Sequence, residues 1–295
     1  MRIRKILFHT NFKEFSFNAL ETLLALKDAG LAEIILIYII DRDEVGFVPY
    51  GGYLKNEENR IREAARVHFE KWQQILSEHG IDSQIVIEKG LPNVTILDIA
   101  QKKAVDMIVT GQKKRTLFEK VYVGSHILDL LRRSPIPILM HKYEVKYEVD
   151  SRTHTRVNDH LFKTPMVATD WSEPSLNALL AMEAFKGVAT KIQVSHIIDT
   201  KLIKNQREEE INRLKQESRN RLDNYCSRLD KMTLLSESYL AIGKTVVEII
   251  RLSREYNATM IVMGRTGKDW FKEYWLGGVS HQVAELSELP VMLVP

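Results

Sequence analysis

The segment from Gly264 to Ser280, GRTGKDWFKEYWLGGVS, holds the pattern in this sequence best suited to chemistry. Its glycines follow Gly-x2-Gly-x9-Gly, at Gly264, Gly267 and Gly277, with Gly278 directly after. A phosphate approaches backbone N–H groups closely only where no Cβ intrudes, and a helix N-terminus adds a dipole that favours negative charge. The apolar run MIVM precedes Gly264 and a helical pattern follows Gly278, so the segment leads from the carboxyl end of a strand into a helix. Gly277, Gly278 and the N–H groups up to Ser280 would form the cradle. A Gly-x-x-Gly by itself is a weak signal that also fits a loop whose glycines only turn the chain.

Other constellations have plainer readings. His9, His126, His141, His154 and His160 include no close His-x-His or His-Glu-x-x-His arrangement, and one Cys cannot support a thiolate site, so no metal site is expected. The basic cluster Lys113, Lys114 and Arg115 and the pair Arg132 and Arg133 lack interleaved aromatics. With 42 basic residues against 39 acidic ones and a net charge of +3, neither a nucleic-acid partner nor a membrane surface is expected. Trp270, Phe271, Tyr274 and Trp275 crowd the nine-residue stretch and suggest packing of that loop against a neighbour more than base stacking. Cys226 falls on the apolar side of a long charged helix pattern from about Arg207 to Leu229 and reads as core. No arrangement of nucleophile, base and orienting group can be read, so no catalytic residue is assigned.

The elements that must hold these residues are visible through the glycines, which number only fourteen in 295 residues. Gly90, Gly111 and Gly124 recur as Gly243, Gly264 and Gly277, each 153 residues later, and Gly30 recurs as Gly187. The run ILIYIID ending at Asp41 matches IQVSHIID ending at Asp199, and Pro137 matches Pro290. The chain is therefore a duplication of a unit of about 150 residues, long enough for each copy to bury its own core. Within each copy, apolar runs of strand length alternate with helical patterns, as β-α-β-α-β-α-β-α-β. Gly30 and Gly187 read as helix stops, and Ala65, Phe69, Trp72 and Leu76 form the apolar face of one helix. Strands joined by helical crossovers predict an α/β fold of two tandem, doubly wound parallel-sheet domains.

The expected boundaries are residues 1–142 for the first domain, 143–161 for a linker and 162–295 for the second domain. The first half of the linker alternates polar and apolar residues and reads as a prolongation of the preceding strand. No apolar run reaches membrane-spanning length and no secretory h-region precedes the first strand, so the expected location is the cytoplasm.

On these features the chain resembles the universal stress protein (UspA) family, specifically its tandem two-domain members, across nearly its whole length. The nucleotide-binding branch of that family carries Gly-x2-Gly-x9-Gly followed by Ser or Thr, and an Asp after the first strand. The second copy has VATDWSEPS, with Asp170, and the full glycine spacing; Gly278 stands where the Ser or Thr would be. The backbone donor survives there, the hydroxyl is lost, and Ser280 offers a replacement. By resemblance, Ala168, Thr169 and Asp170 line an adenosine pocket, and Ile197 meets the adenine through its backbone. Met263, Gly264, Gly267, Gly277, Gly278, Val279 and Ser280 enclose ribose and phosphates. The resemblance implies ATP or AMP as ligand, with Mg2+ as counter-ion, and a regulatory binding role in stress with at most weak ATP hydrolysis.

The first copy departs further. Asn11 replaces the Asp, and its loop reads Gly111, two residues, Lys114, nine residues, Gly124, Ser125. A lysine side chain at the second glycine's place fills the phosphate space, so this copy is expected to be degenerate and mainly structural. In the family, last strands commonly pair across a two-fold axis. By resemblance the strands holding Ile138 and Val291 would pair within the chain as a pseudo-dimer, and two chains would associate as a homodimer. Two other functions stay open on the residues. One is an interaction module without nucleotide, suggested by Asn11, Lys114 and Gly278. The other is an adenine-nucleotide α-hydrolase-type enzyme, which would need a glycine-rich loop after the first strand that NFKEF and DWSEP do not provide.

Overall fold

A computed structural model describes residues 1–12, 16–41, 54–111, 125–142, 144–149, 152–265 and 278–295. The chain divides into two units, residues 3–141 and residues 142–295 with the first two residues.

In the N-terminal unit, β1 (Lys5–His9), α1 (Ser16–Leu23), β2 (Glu33–Asp41), α2 (Leu54–Glu78) and β3 (Asp82–Gly90) are followed by α3 (Pro92–Lys102), β4 (Met107–Gly111), α4 (Ser125–Arg133) and β5 (Ile138–His141). The strands run parallel in the order β3-β2-β1-β4-β5. The order reverses between β1 and β4, as the two directions of crossover require. Burial of strands on both faces explains their near-continuous apolar sequences; Ile34, Ile35, Leu36 and Ile37 of β2 are fully buried. The predicted face of α2 is buried at Ala65, Phe69, Trp72 and Leu76. Each large side chain there stabilises by about 1.5–3 kcal/mol relative to exposure.

The linker differs from expectation. Strands β6 (Glu144–Val149) and β7 (Arg152–Val157) form their own antiparallel pair, and β5 stops at His141. The alternation of the linker thus marks a hairpin strand. The C-terminal unit then repeats the first: β8 (Pro165–Thr169), α5 (Glu173–Leu180), β9 (Ile192–Asp199), a single turn α6 (Thr200–Ile203), α7 (Glu208–Lys231), β10 (Ser236–Gly243), α8 (Thr245–Glu255), β11 (Met260–Gly264), α9 (Val279–Leu286) and β12 (Val291–Val294). Its parallel strands lie in the order β10-β9-β8-β11-β12. Both units are doubly wound α/β. Cys226 on α7 is half-buried and sits outside the core, because α7 carries a charged outer face over most of its length.

The helix stops act through backbone geometry. Gly30 and Gly187 take φ of +102° and +90°, and each ends a helix that first tightens into a 3-10 turn, Leu24–Lys27 and Ala181–Phe185. Only glycine enters that region without strain.

Candidate functional site

In the C-terminal unit the reversal of strand order lies between β8 and β11, and the carboxyl ends of these parallel strands lie side by side there. Ala168 pairs with Met263 across the ladder, so both fall at this switch point, and Thr169 is the last residue of β8 opposite His196. Ile197 is the next residue of β9, beyond the end of β8. Ala168, Met263 and Ile197 are buried.

The turn after β8 is built by its own side chains. Trp171 adopts φ of +67°, a region that costs a residue with a Cβ about 1 kcal/mol or more. Its N–H donates to Thr169 Oγ1 at 3.1 Å, and Thr169 Oγ1 lies 3.0 Å from Ser175 Oγ. Ser175 Oγ donates to the Ser172 carbonyl at 2.8 Å, which leaves the Thr169 hydroxyl as donor to Ser175. Asp170 Oδ1 accepts from the Ser172 N–H at 3.0 Å and from the Ser172 hydroxyl. Ser172 is in turn the N-cap of α5. The run TDWSEPS therefore orients the Asp170 carboxylate and caps a helix at once, while the Thr169 hydroxyl serves the turn.

The indole of Trp171 is held in the same way from outside. It packs at a tilt on His196 with centroids 4.4 Å apart, meets Tyr225 edge-on at 5.2 Å and lies 5.8 Å below the Arg221 guanidinium. Trp171 Nε1–H donates to His196 Nε2 at 3.2 Å, and His196 Nδ1–H donates to the Thr169 carbonyl at 2.8 Å. Together the two bonds select the Nδ1–H tautomer of a neutral imidazole. At the end of β9, burial alone would raise the pKa of Asp199. Donors from the Lys201 N–H and the Thr245 hydroxyl outweigh it and hold the carboxyl below the usual range.

At the end of β11, Gly264 has a tight packing role. A Cβ there would fall 2.5 Å from Pro174 C and 2.6 Å from Ser175 N, the backbone of the first turn of α5. Gly278 is different: it is the N-cap of α9 with φ of −50°, and no atom lies within 4 Å of where its Cβ would be. Its carbonyl accepts from His281 and Gln282, so the N–H groups of Val279 and Ser280 precede the first helical bonds. Ser280 is buried, and its hydroxyl donates to the Arg265 carbonyl at 2.7 Å. That bond joins the end of β11 to the first turn of α9. It also commits the hydroxyl that sequence reasoning offered as the replacement at Gly278. Gly267 and Gly277 lie outside the described residues, as do Trp270, Phe271, Tyr274 and Trp275.

Arg265 is a residue that the glycine pattern passes over. Its N–H donates to the Val294 carbonyl at 2.7 Å, and burial pulls its guanidinium below the usual pKa range. A partly buried cation between the end of β11 and the start of α9 favours an incoming anion. Its place inside the motif could have drawn notice.

The corresponding turn of the N-terminal unit has the same build with other chemistry. Phe12 takes φ of +54° and its N–H donates to Thr10 Oγ1 at 3.0 Å. Phe12 stacks on Tyr38 and His68, each at 5.1 Å, and meets Phe69 and Trp72 at a tilt, at 4.9 and 5.4 Å. Tyr38, His68 and Trp72 are the sequence counterparts of His196, Arg221 and Tyr225. His9 stands where Ala168 does and hydrogen-bonds Thr110 at 3.1 Å; burial lowers its pKa to about 4. Asn11 replaces Asp170, and Lys114 and Gly124 fall outside the described residues; of Ser125 only the backbone, at the start of α4, is described. Among the described residues no group of three or more His, Cys, Asp or Glu could hold a metal ion, and no helix is long and apolar enough to cross a membrane.

A family model described as the universal stress protein family matches residues 2–142 and again residues 162–295. The chain belongs to the universal stress protein family. Universal stress protein MJ0577 of Methanocaldococcus jannaschii is 28% identical over 153 residues, 47% of this chain and 94% of that protein. Universal stress protein YxiE of Bacillus subtilis is 27% identical over 147 residues, 45% of this chain and 99% of that protein. A crystal structure of a universal stress protein from Archaeoglobus fulgidus matches 100% of this chain and 99% of its own, with a TM-score of 0.73 at 21% identity, and so shares the two-unit fold. Single-unit universal stress proteins thus match about half of this chain, and a two-unit one matches all of it.

Proposed function

We propose that the C-terminal unit binds one adenine nucleotide, ATP or AMP, at the carboxyl ends of β8, β9 and β11, and that the protein acts as a nucleotide-dependent regulatory binder in a stress response. The observation that carries this reading is the bond from the Ser280 hydroxyl to the Arg265 carbonyl, which ties the end of β11 to the N-terminus of α9 on either side of the Gly-x2-Gly-x9-Gly pattern. Open N–H groups at Val279 and Ser280, an unobstructed Gly278 and a half-buried Arg265 suit phosphates. Asp170, oriented by Ser172, suits a donor on the nucleoside. Mg2+ would travel with the phosphates, since the described residues offer it no cluster of ligands. We assign no hydrolytic step.

The test is calorimetric titration of the full chain with ATP and with AMP, beside Gly267→Lys, which copies Lys114. The substitution should weaken binding by about a hundredfold or more, since a side chain enters the phosphate space. Unchanged affinity would mean that the phosphates lie elsewhere. Absence of binding by the wild-type chain would favour an interaction module that works without nucleotide.

A further inference from the structure

The outer edge of the N-terminal sheet is β3, which has β2 as its one strand neighbour among the described residues. The N–H of Asp82 donates inward, to Ala32, so by alternation Ser83, Ile85 and Ile87 turn their backbone groups outward. Two side chains of α2 reach over that edge: Gln73 Nε2 donates to the Ser83 carbonyl at 3.1 Å, and Arg62 donates to the Ile87 carbonyl. Between them Ile85 presents its N–H and carbonyl to a groove of about 620 Å³. Helix α2 with Arg62 and Arg66, and α3 with Lys102 and the following Lys103, wall this groove, against the acids Glu88 and Asp98; Arg62 pairs with Glu58, Lys102 with Asp98, and Lys103 donates to Gln84.

The C-terminal unit closes the matching place. Tyr239 and Tyr256, the counterparts of Val86 and Lys103, stack with centroids 3.7 Å apart. Glu248, Arg251 and Glu255, the counterparts of Thr95, Asp98 and Lys102, pair among themselves, as Asp98 and Lys102 do in the N-terminal unit, so the aromatic stack is what sets the two places apart. The duplication therefore supplies one edge spanned by an aromatic stack and one that leaves Ile85 between two side-chain bonds, in a groove lined by four basic and two acidic residues. Open edges are hazards that proteins usually block, unless a partner strand uses them.

We propose that this groove is a docking site for an extended acidic peptide segment of a partner protein, which pairs with β3 at Ile85 while its carboxylates meet Arg66, Lys102 and Lys103. Backbone pairing argues for a peptide over a small anion, and the cationic walls argue for an acidic one. The proposal is independent of nucleotide binding in the other unit.

Fluorescence polarisation of the full chain with a labelled (Glu-Val)4 peptide tests it. Binding should be at least about tenfold tighter than to (Lys-Val)4, and also tighter than to a Glu-Val peptide with a central proline. Arg66→Glu with Lys102→Glu changes two exposed side chains, and should weaken it about tenfold with an unchanged circular dichroism spectrum. Val86→Tyr with Lys103→Tyr, importing the stack of the C-terminal unit, should abolish it. Equal binding of the lysine or proline peptide, no binding of (Glu-Val)4, or its full release by millimolar inorganic phosphate would overturn the proposal, the last in favour of a small-anion site.

Discussion

The two halves of this chain share a scaffold and differ where chemistry would be done. In both, a residue with a large aromatic side chain takes a left-handed conformation after the first strand, bonds back to a threonine and is gripped by the second strand and the second helix. The grip uses Tyr38, His68 and Trp72 in one half and His196, Arg221 and Tyr225 in the other. Packing of that turn has therefore outlasted large changes in composition. The strand ends have not been kept alike: Ala168, Met263 and Val294 correspond to His9, Thr110 and His141. The strand ends of the C-terminal half are apolar at these positions, whereas those of the N-terminal half carry hydrogen-bonded polar side chains, His9 to Thr110 and His141 to Thr22. A duplicated fold can thus hold its turns by packing while the residues at its strand ends diverge.

The largest expected asymmetry is with pH. His141 is buried, its Nε2 lies 2.8 Å from Thr22 Oγ1, and desolvation lowers its pKa to about 3. The unfolded chain keeps the ordinary value near 6.5, so between pH 6.5 and 3 the unfolded state binds a proton that the native state refuses. Stability contributed by the neutral ring is present above pH 6.5 and is lost as pH falls through that window. His9 adds to the loss between pH 6.5 and 4. Urea unfolding of the full chain should lose roughly 4 kcal/mol more from pH 6.5 to 3 than the same titration of His141→Val, which copies Val294. Parallel curves would mean that His141 titrates normally.

The glycines come next. Gly264→Ala sets a Cβ against the backbone of Pro174 and Ser175 and should cost about 3 kcal/mol in urea unfolding. Gly278→Ala meets nothing and should stay within about 0.5 kcal/mol. Equal effects would erase the distinction between a glycine needed for packing and one open toward a ligand. Trp171→Ala removes the ring contact with His196 and should cost about 2 kcal/mol, whereas Trp171→Phe, copying Phe12, should recover more than half of it. Asp170→Asn, copying Asn11, should leave stability nearly unchanged and weaken ATP about tenfold by calorimetry. An unaltered affinity would remove Asp170 from the nucleoside contacts.

Much of the scaffold was legible because repetition made it so. Paired glycines marked the copies, and Gly30 and Gly187 carry the positive φ that a helix stop demands. Left-handed residues with side chains were not legible. Ala104 and Asn257 end equivalent helices at φ of +49° and +51°, and neither residue type announces this as glycine does. The grip on Trp171 was also hidden, since His196, Arg221 and Tyr225 are far apart in sequence and meet only when β9 and α7 pack. Gly264 was read as a phosphate glycine on spacing, yet its demand for no side chain comes from α5, a contact that spacing cannot express. The hydroxyl of Ser280 looked available for the same reason, until the Arg265 carbonyl was found to hold it. The alternation of residues 144–149 was visible, but its partner strand was not, because a hairpin depends on a turn as well as on period two.

The central claim is that one half binds and the other does not. The full chain, denatured after purification or titrated with ATP, should release or bind one adenine nucleotide per chain, and Gly267→Lys should reduce that number to zero. Two nucleotides per chain, or one that persists in Gly267→Lys, would contradict the account.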